Sequence, residues 1–166
     1  CFLAVHSFCT AQAAHIALID VGDTAPRRML LPSNLEYRKS ALLVTAAPIT
    51  KSLVVLADYA DIYCFDPRLA SIRLIPRPQG LAGPWNPTGL FYHHRIRRLF
   101  VANYHGNNIV EASLDCKRRG LRIESVISSP NTISPENVAL TADGRILVAA
   151  NYDGSTITAF ARRLKH

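Results

Sequence analysis

Residues 86–109 read NPTGLFYHHRIRRLFVANYHGNNI, and residues 134–157 read SPENVALTADGRILVAANYDGSTI. Laid over one another they need no gap, at an offset of 48 residues. Pro87 falls on Pro135, Arg97 on Arg145 and Leu99 on Leu147. Ala102, Asn103, Tyr104, Gly106 and Ile109 fall on Ala150, Asn151, Tyr152, Gly154 and Ile157. Within the strands Leu90, Phe91, Tyr92, Phe100 and Val101 fall on Val138, Ala139, Leu140, Val148 and Ala149, apolar on apolar. A match of this length marks an internal repeat, and a repeat of this period defines the architecture. A weaker copy lies upstream. Leu53 to Tyr59 resembles Leu99 to Tyr104 with Asp58 in place of Asn103, and Asp61 to Asp66 resembles Asn108 to Asp115.

Each unit reads as four short strands. In the best-preserved one they are Thr88 to Tyr92, Arg98 to Asn103, Asn108 to Leu114 and Leu121 to Ser128, separated by polar or glycine-bearing turns. The second strand is a continuous apolar run, as expected of a strand covered on both faces, and the third is expected to alternate more. Gly106 and Gly154 are placed where a tight turn calls for a positive φ. No segment shows sustained helical periodicity with caps. Four antiparallel strands per repeat are the signature of β-propeller blades. The expected fold class is all-β, with about three to four four-stranded blades. These lie at 14–35, 41–78, 86–128 and 134–161, the first with His15 to Val21 and Arg27 to Leu31 as its outer strands. A propeller closes with about four to eight blades. The chain is therefore expected to be part of a larger propeller, or one whose ring is completed by self-association.

The chain is 166 residues long, 49% hydrophobic and 19% charged, with a formal net charge of +7. That composition suits a globular domain. No run of 18 apolar residues is present, so no membrane-spanning helix is expected. Residues 1–13 are apolar, carry no Lys, Arg, Asp or Glu, and end in Ala11-Gln12-Ala13. This resembles the hydrophobic region and cleavage site of an export leader without its basic start, and implies a periplasmic or secreted protein with residues 14–166 as the propeller domain. The other reading is a buried first strand or helix. Val5 to Phe8 before Cys9 do not form a lipobox. Outside the leader only Cys64 and Cys116 remain. They fall on equivalent outer strands of different repeats, so two free thiols beyond disulfide reach are expected.

LFVANYHGNNI and ILVAANYDGSTI resemble the YVTN-type repeat of lactonase-like β-propellers, whose core runs roughly L-Y-V-A-N-Y-G-x-N-T-V. The Pro-led first strand and the Ala142-Asp143-Gly144-Arg145 hairpin fit the same group. The resemblance covers residues 86–161 well and residues 41–78 faintly. The group includes phosphogluconolactonase-like and gluconolactonase-like propellers and many periplasmic ones. Its motifs specify the blade rather than an activity.

Antiparallel order sorts the loops onto two faces. The first collects the hairpin tips His93, His94, Arg95, Arg97, Arg98, Lys117, Arg118 and Arg119. A basic patch of this kind suits an anion, but a solvated rim is the expected role. No aromatic interleaving supports single-strand nucleic-acid binding, so no nucleic-acid partner is expected. The second face collects Asp58, Asp61, Asn103, His105, Asn107, Asn108, Glu136, Asn137, Asn151 and Asp153. These are hard oxygen donors of the type calcium takes six to eight at a time. The lactonase resemblance implies a divalent cation at the channel mouth, polarising a lactone carbonyl. It places a ligand at Glu136 and Asn137, with Asn103, Asn151 and Asp153 next. Asn and Asp after a strand are also good turn formers, and repetition of Asn-Tyr favours that role for Asn103 and Asn151. Asp58, His105 and Asn107 complete the expected ligand-face loops. No G-x-S-x-G elbow and no phosphate loop occurs. Two readings stand: a binding or scaffold module offering this face to a small molecule or protein, and a calcium- or other divalent-metal-dependent lactonase or related hydrolase. The sequence does not decide whether the chain is an enzyme.

Overall fold

Among the described residues the alternating apolar runs fold as strands, and the polar and glycine-bearing stretches between them as turns. The computed structural model describes residues 3–10, 13–20, 27–30, 43–50, 53–58, 60–66, 69 and 71–162, with side-chain burial from residue 47 onward. Among the described residues fourteen strands form four antiparallel sheets. The first holds β1 (Leu3–Thr10), β2 (Ala13–Asp20) and β3 (Arg27–Leu30). The second holds β4 (Leu43–Thr50), β5 (Leu53–Asp58), β6 (Ile62–Asp66) and β7 (Ser71–Ile75). The third holds β8 (Pro87–His93), β9 (Arg98–Asn103), β10 (Asn108–Asp115) and β11 (Gly120–Ile127). The fourth holds β12 (Pro135–Leu140), β13 (Ile146–Asn151) and β14 (Thr156–Ala161). Strands pair in chain order within each sheet, and the leading strands β1, β4, β8 and β12 neighbour one another along the row.

The repeat is legible in the packing. Side chains alternate across a strand, so β9 serves two seams at once. Leu99 and Val101 join Val110, Ala112 and Leu121 against Ala47, Val55, Ala57, Ile62 and Ile75 of the second sheet. Phe100 and Ala102 join Ile109 against Val138, Leu140, Leu147 and Ala149 of the fourth. Every β9 residue after Arg98 is buried, as the continuous apolar run requires. Each fully buried Leu, Ile or Phe contributes about 1.5–3 kcal/mol, so the two seams dominate stability. Alternation begins later than expected. β10 is buried over its first five residues and only β11 alternates regularly, because the fourth sheet and Arg162 reach over the inner half of β10. The Arg162 guanidinium pairs with Glu111, bonds Gly144 O at 2.9 Å and lies 5.0 Å above the Phe100 ring.

Two expectations are corrected. Cys64 and Cys116 are joined by a disulfide, with Cα atoms 5.7 Å apart. They do not occupy equivalent positions. Cys64 sits inside β6, facing the third sheet within the shared core, while Cys116 stands just past the end of β10, where the hairpin turns back toward it. Gly106 and Gly154 do not carry the positive φ of their turns; Asn107 (φ 50) and Ser155 (φ 46) do. Gly106 is needed for room instead. A Cβ there would overlap the amide of Asn103 and lie 2.9 Å from that of Asn108.

The apolar stretch expected as a leader carries β1, paired along its length with β2. Ala11 and Gln12 of the expected cleavage motif, and Tyr59 of the weak repeat, lie outside the described residues.

Candidate functional site

The second face is built where each second strand ends. β9 runs out at Asn103, and the chain turns through a 3-10 turn at Tyr104–Gly106 before β10. Asn103 is fully buried and its amide is spent on the fold. Its Oδ1 accepts the Asn86 N–H at 2.7 Å, and its Nδ2 donates to Pro84 O at 3.0 Å and Asn108 Oδ1 at 3.2 Å. It bolts the incoming connection to the turn, the structural role that repetition suggested.

Asn151 holds the equivalent place in the fourth sheet with a different set of partners. Its Nδ2 faces Asn131 O, Thr156 Oγ1 and Thr158 Oγ1 at 2.8–3.1 Å. By repeat equivalence its Oδ1 should accept the Ser134 N–H. That N–H instead bonds Asn107 Oδ1 of the third sheet at 2.8 Å. Asn151 Oδ1 is left as a buried acceptor without a hydrogen-bond partner, which costs free energy unless something else supplies a donor. Asn151 lines an open cleft of about 460 Å³ with Glu136, Ala150, Tyr152, Ser155, Thr156 and Ile157.

Asp153 lies at the seam of the third and fourth sheets. Its carboxylate accepts the Ser134 hydroxyl and, at 3.2 Å, the Tyr104 hydroxyl. Desolvation, then the hydrogen bond to Asp153, push the Tyr104 hydroxyl above its ordinary 10.0, so it remains a donor at neutral pH. The Tyr104 and Tyr152 rings stand 6.3 Å apart, and His105 packs edge-on against Tyr104 at 5.1 Å. Tyr152 is 65% exposed and His105 is exposed. His105 was expected on this face; the two tyrosines beside it, and Ser134, escaped the sequence reading. The signal was present in the 48-residue offset that places a tyrosine after each asparagine.

The remaining expected residues divide clearly. Glu136 is exposed on the cleft wall. Asn137 is exposed and its Oδ1 accepts the next backbone N–H, of Val138, at 2.8 Å. Asp58 ends β5, and nothing of its side chain is described. Among the described residues no three His, Cys, Asp or Glu side chains converge on a point that could hold a metal ion. Of the five expected ligands, Asn103, Asn137 and Asp153 already serve the fold. Glu136 and Asn151 Oδ1 remain, two donors where calcium takes six to eight. The described residues alone do not fit a calcium site.

On the first face the basic residues are mostly answered locally. His93 is buried, and the tautomer carrying hydrogen on Nε2 donates to Ala142 O at 3.2 Å while Nδ1 faces the Ile96 N–H at 3.4 Å. It is a fastening between sheets. His94 is exposed and packs edge-on against Tyr92. Arg95 donates to Asp143 O at 3.2 Å, and Arg98 stands 3.7 Å from Glu124. Arg97 is exposed with φ 51 at the hairpin tip. Arg118 and Arg145 lie beside Asp115 and Asp143. The carboxylates of Asp115, Glu124 and Asp143 stand among these basic side chains.

No family model matches the chain, and no curated protein matches it. Solved structures do. It resembles Kuenenia stuttgartiensis hydrazine synthase with TM-score 0.69 at 11% identity, covering 98% of this chain and 56% of that one. It resembles the periplasmic gluconolactonase of Pseudomonas aeruginosa with TM-score 0.60 at 18% identity, covering 96% of this chain and 49% of that one. It also resembles a candidate 6-phosphogluconolactonase of Bacteroides uniformis with TM-score 0.61 at 14% identity, covering 97% and 51%. The chain thus spans about half the length of the structures it matches. At these identities the likeness is one of fold: an all-β chain of antiparallel sheets with propeller-like neighbours, among them lactonases.

Proposed function

We propose that the chain is part of an exported β-propeller of four-stranded blades that serves as a binding module. It offers the loop face around Tyr104, Tyr152, Asp153 and Glu136 to a small molecule or protein. The observation that carries this reading is the open cleft of about 460 Å³ that Glu136, Asn151 and Tyr152 line at this face. A ligand bearing hydroxyl or ammonium hydrogens suits the exposed Glu136 carboxylate, and the exposed Tyr152 ring supplies an apolar wall. The Cys64–Cys116 disulfide supports the exported reading, since such bonds persist in oxidising compartments. The test is a thermal-shift screen of polyols, sugar acids and amino alcohols. At least one is expected to raise the melting temperature of the wild type and not of Glu136→Gln. No shift across the panel sinks the proposal.

The likeness to two lactonase-titled structures favours a second reading, a metal-dependent lactonase with Glu136 and Asn137 near the cation. Other blades would have to supply most of its ligands. Calcium copurifying with the protein, and lactone hydrolysis lost in chelator and in Glu136→Gln, would support it. Absence of both would end it.

A further inference from the structure

The connection leaving β7 is folded around one side chain. Arg77 sends its Nη2 to two carbonyls of its own loop, Leu81 O at 2.9 Å and Gly83 O. Gly80 (φ 79) and Gly83 (φ 76) supply the positive φ values that let the chain bend back on the guanidinium. Leu81 is buried in the core shared by the second and third sheets, which anchors the loop. Among the described residues no partner meets Nε or Nη1 of Arg77.

The β10–β11 hairpin is held as firmly. Asp115 Oδ1 accepts the Lys117 N–H at 2.9 Å and the Arg118 N–H at 3.1 Å. Cys116 is tied to Cys64 of β6. Arg119 closes the turn in the left-handed region, with φ 54. Its guanidinium has no hydrogen-bond or ion-pair partner among the described residues.

These two fixed segments border one groove of about 390 Å³, lined by Pro76, Arg77 and Gln79 from the loop and by Arg119, Leu121 and Arg122 from the hairpin and β11. Three lining residues are arginines and none is acidic. Arg122 donates from Nε to Ser113 Oγ at 3.3 Å and from Nη2 to Glu124 Oε1 at 2.8 Å. Glu124 also stands 3.7 Å from Arg98, so its single charge is divided between two guanidiniums and the groove keeps a positive excess. Guanidinium forks match oxyanions through paired hydrogen bonds. One fork satisfies one carboxylate. Three forks around one groove suit a group with several oxygens and two or more charges, as phosphate and diphosphate carry. The volume lies within the roughly 300–1,000 Å³ of small-molecule sites, and Pro76 and Leu121 add apolar wall for an organic remainder.

We propose that this groove between the second and third sheets binds a small molecule through a phosphate or diphosphate group. The inference does not depend on what the Glu136 cleft binds.

Isothermal titration calorimetry of the full chain with pyrophosphate tests this, in about 0.15 M sodium chloride, where charges farther apart than roughly 8 Å are screened. Pyrophosphate is expected to bind one per chain, and inorganic phosphate more weakly. Arg119→Gln breaks no contact of the fold and is expected to weaken pyrophosphate by about tenfold or more. Arg97→Gln removes the same charge from another exposed hairpin tip, with φ 51, and is expected to leave the affinity unchanged. Wild-type heats no larger than those of dilution would overturn the proposal. Equal weakening by the two substitutions would overturn it as well, since the attraction would then be diffuse. So would an Arg119→Gln variant that binds as the wild type does.

Discussion

Replacing Gly89 by alanine asks whether the fourth sheet truly packs as closely on the third as the interlocking seam implies. With no neighbour in the way, the exchange would stabilise a strand by about 0.5–1 kcal/mol, because glycine loses more backbone freedom on folding. Gly89 has neighbours. A Cβ would lie 2.6 Å from Glu136 O, 2.7 Å from Asn137 Cα and 3.2 Å from Ala102 Cβ. The first two are backbone atoms of β12 and cannot rotate away. Ordinary contact begins at 3.4 Å, so β12 must retreat by roughly 0.8 Å. Overpacking of this kind costs about 1–3 kcal/mol. The sign therefore reverses: Gly89→Ala is expected to lose about 1–2 kcal/mol, or roughly 2–8 °C in Tm at 2–4 °C per kcal/mol. Gly120→Ala is the control. Its Cβ would meet nothing within 4 Å and its φ is not positive, so a small gain is expected, at most about 1 kcal/mol. Urea unfolding followed by intrinsic fluorescence measures both. A Gly89→Ala variant as stable as the wild type would refute the close approach of the two sheets.

Further outcomes follow from the side-chain fastenings. Cys116→Ser is expected to cost about 4 kcal/mol by the loop-entropy relation for a separation of 52 residues, read from thermal melts, and dithiothreitol should act alike, since both cysteines line a cleft of about 280 Å³. Asn103→Ala strands Asn86 N–H, Pro84 O and Asn108 Oδ1, and is expected to cost about 3 kcal/mol or more in urea unfolding. Asn151→Ala should cost distinctly less, because its own acceptor already lacks a partner. Arg162→Met leaves the Glu111 carboxylate nearly buried with the Ser125 hydroxyl as its remaining partner among the described residues, for an expected loss of about 3 kcal/mol, and Arg162→Met with Glu111→Leu should recover most of it in a double-mutant cycle.

The blade pattern was readable because period-two alternation and turn residues are local signals. Arg98 to Asn103 was expected as a strand buried on both faces and is β9, residue for residue. What escaped depended on the approach of one sheet to the next. Cys64 and Cys116 appeared too far apart in a scheme that treated each unit as separate, whereas packed sheets bring β6 and the β10–β11 hairpin together. Gly106 was read for its backbone angle and proved necessary for space beside Asn103 and Asn108. Glu136 was singled out as a metal ligand by the lactonase resemblance; it lines the cleft, beside too few oxygen donors among the described residues for calcium. The freedom of Asn151 Oδ1 was invisible in sequence, because it arises when Asn107, from the neighbouring unit, takes the hydrogen that the pattern assigns to Asn151.

That exchange has a bearing on interchangeability. Asn107 bonds Ser134 N, Thr88 bonds Pro135 O and His93 bonds Ala142 O, all across the same seam. The fourth unit therefore borrows its start from the third and is not a self-sufficient brick. An engineer copying residues 134–162 onto a new end of the row would transplant serine at the Asn107 place, glutamate at the Thr88 place and threonine at the His93 place, and the graft would arrive without its sockets. The third unit, which carries those sockets, is the one from which longer arrays should be grown.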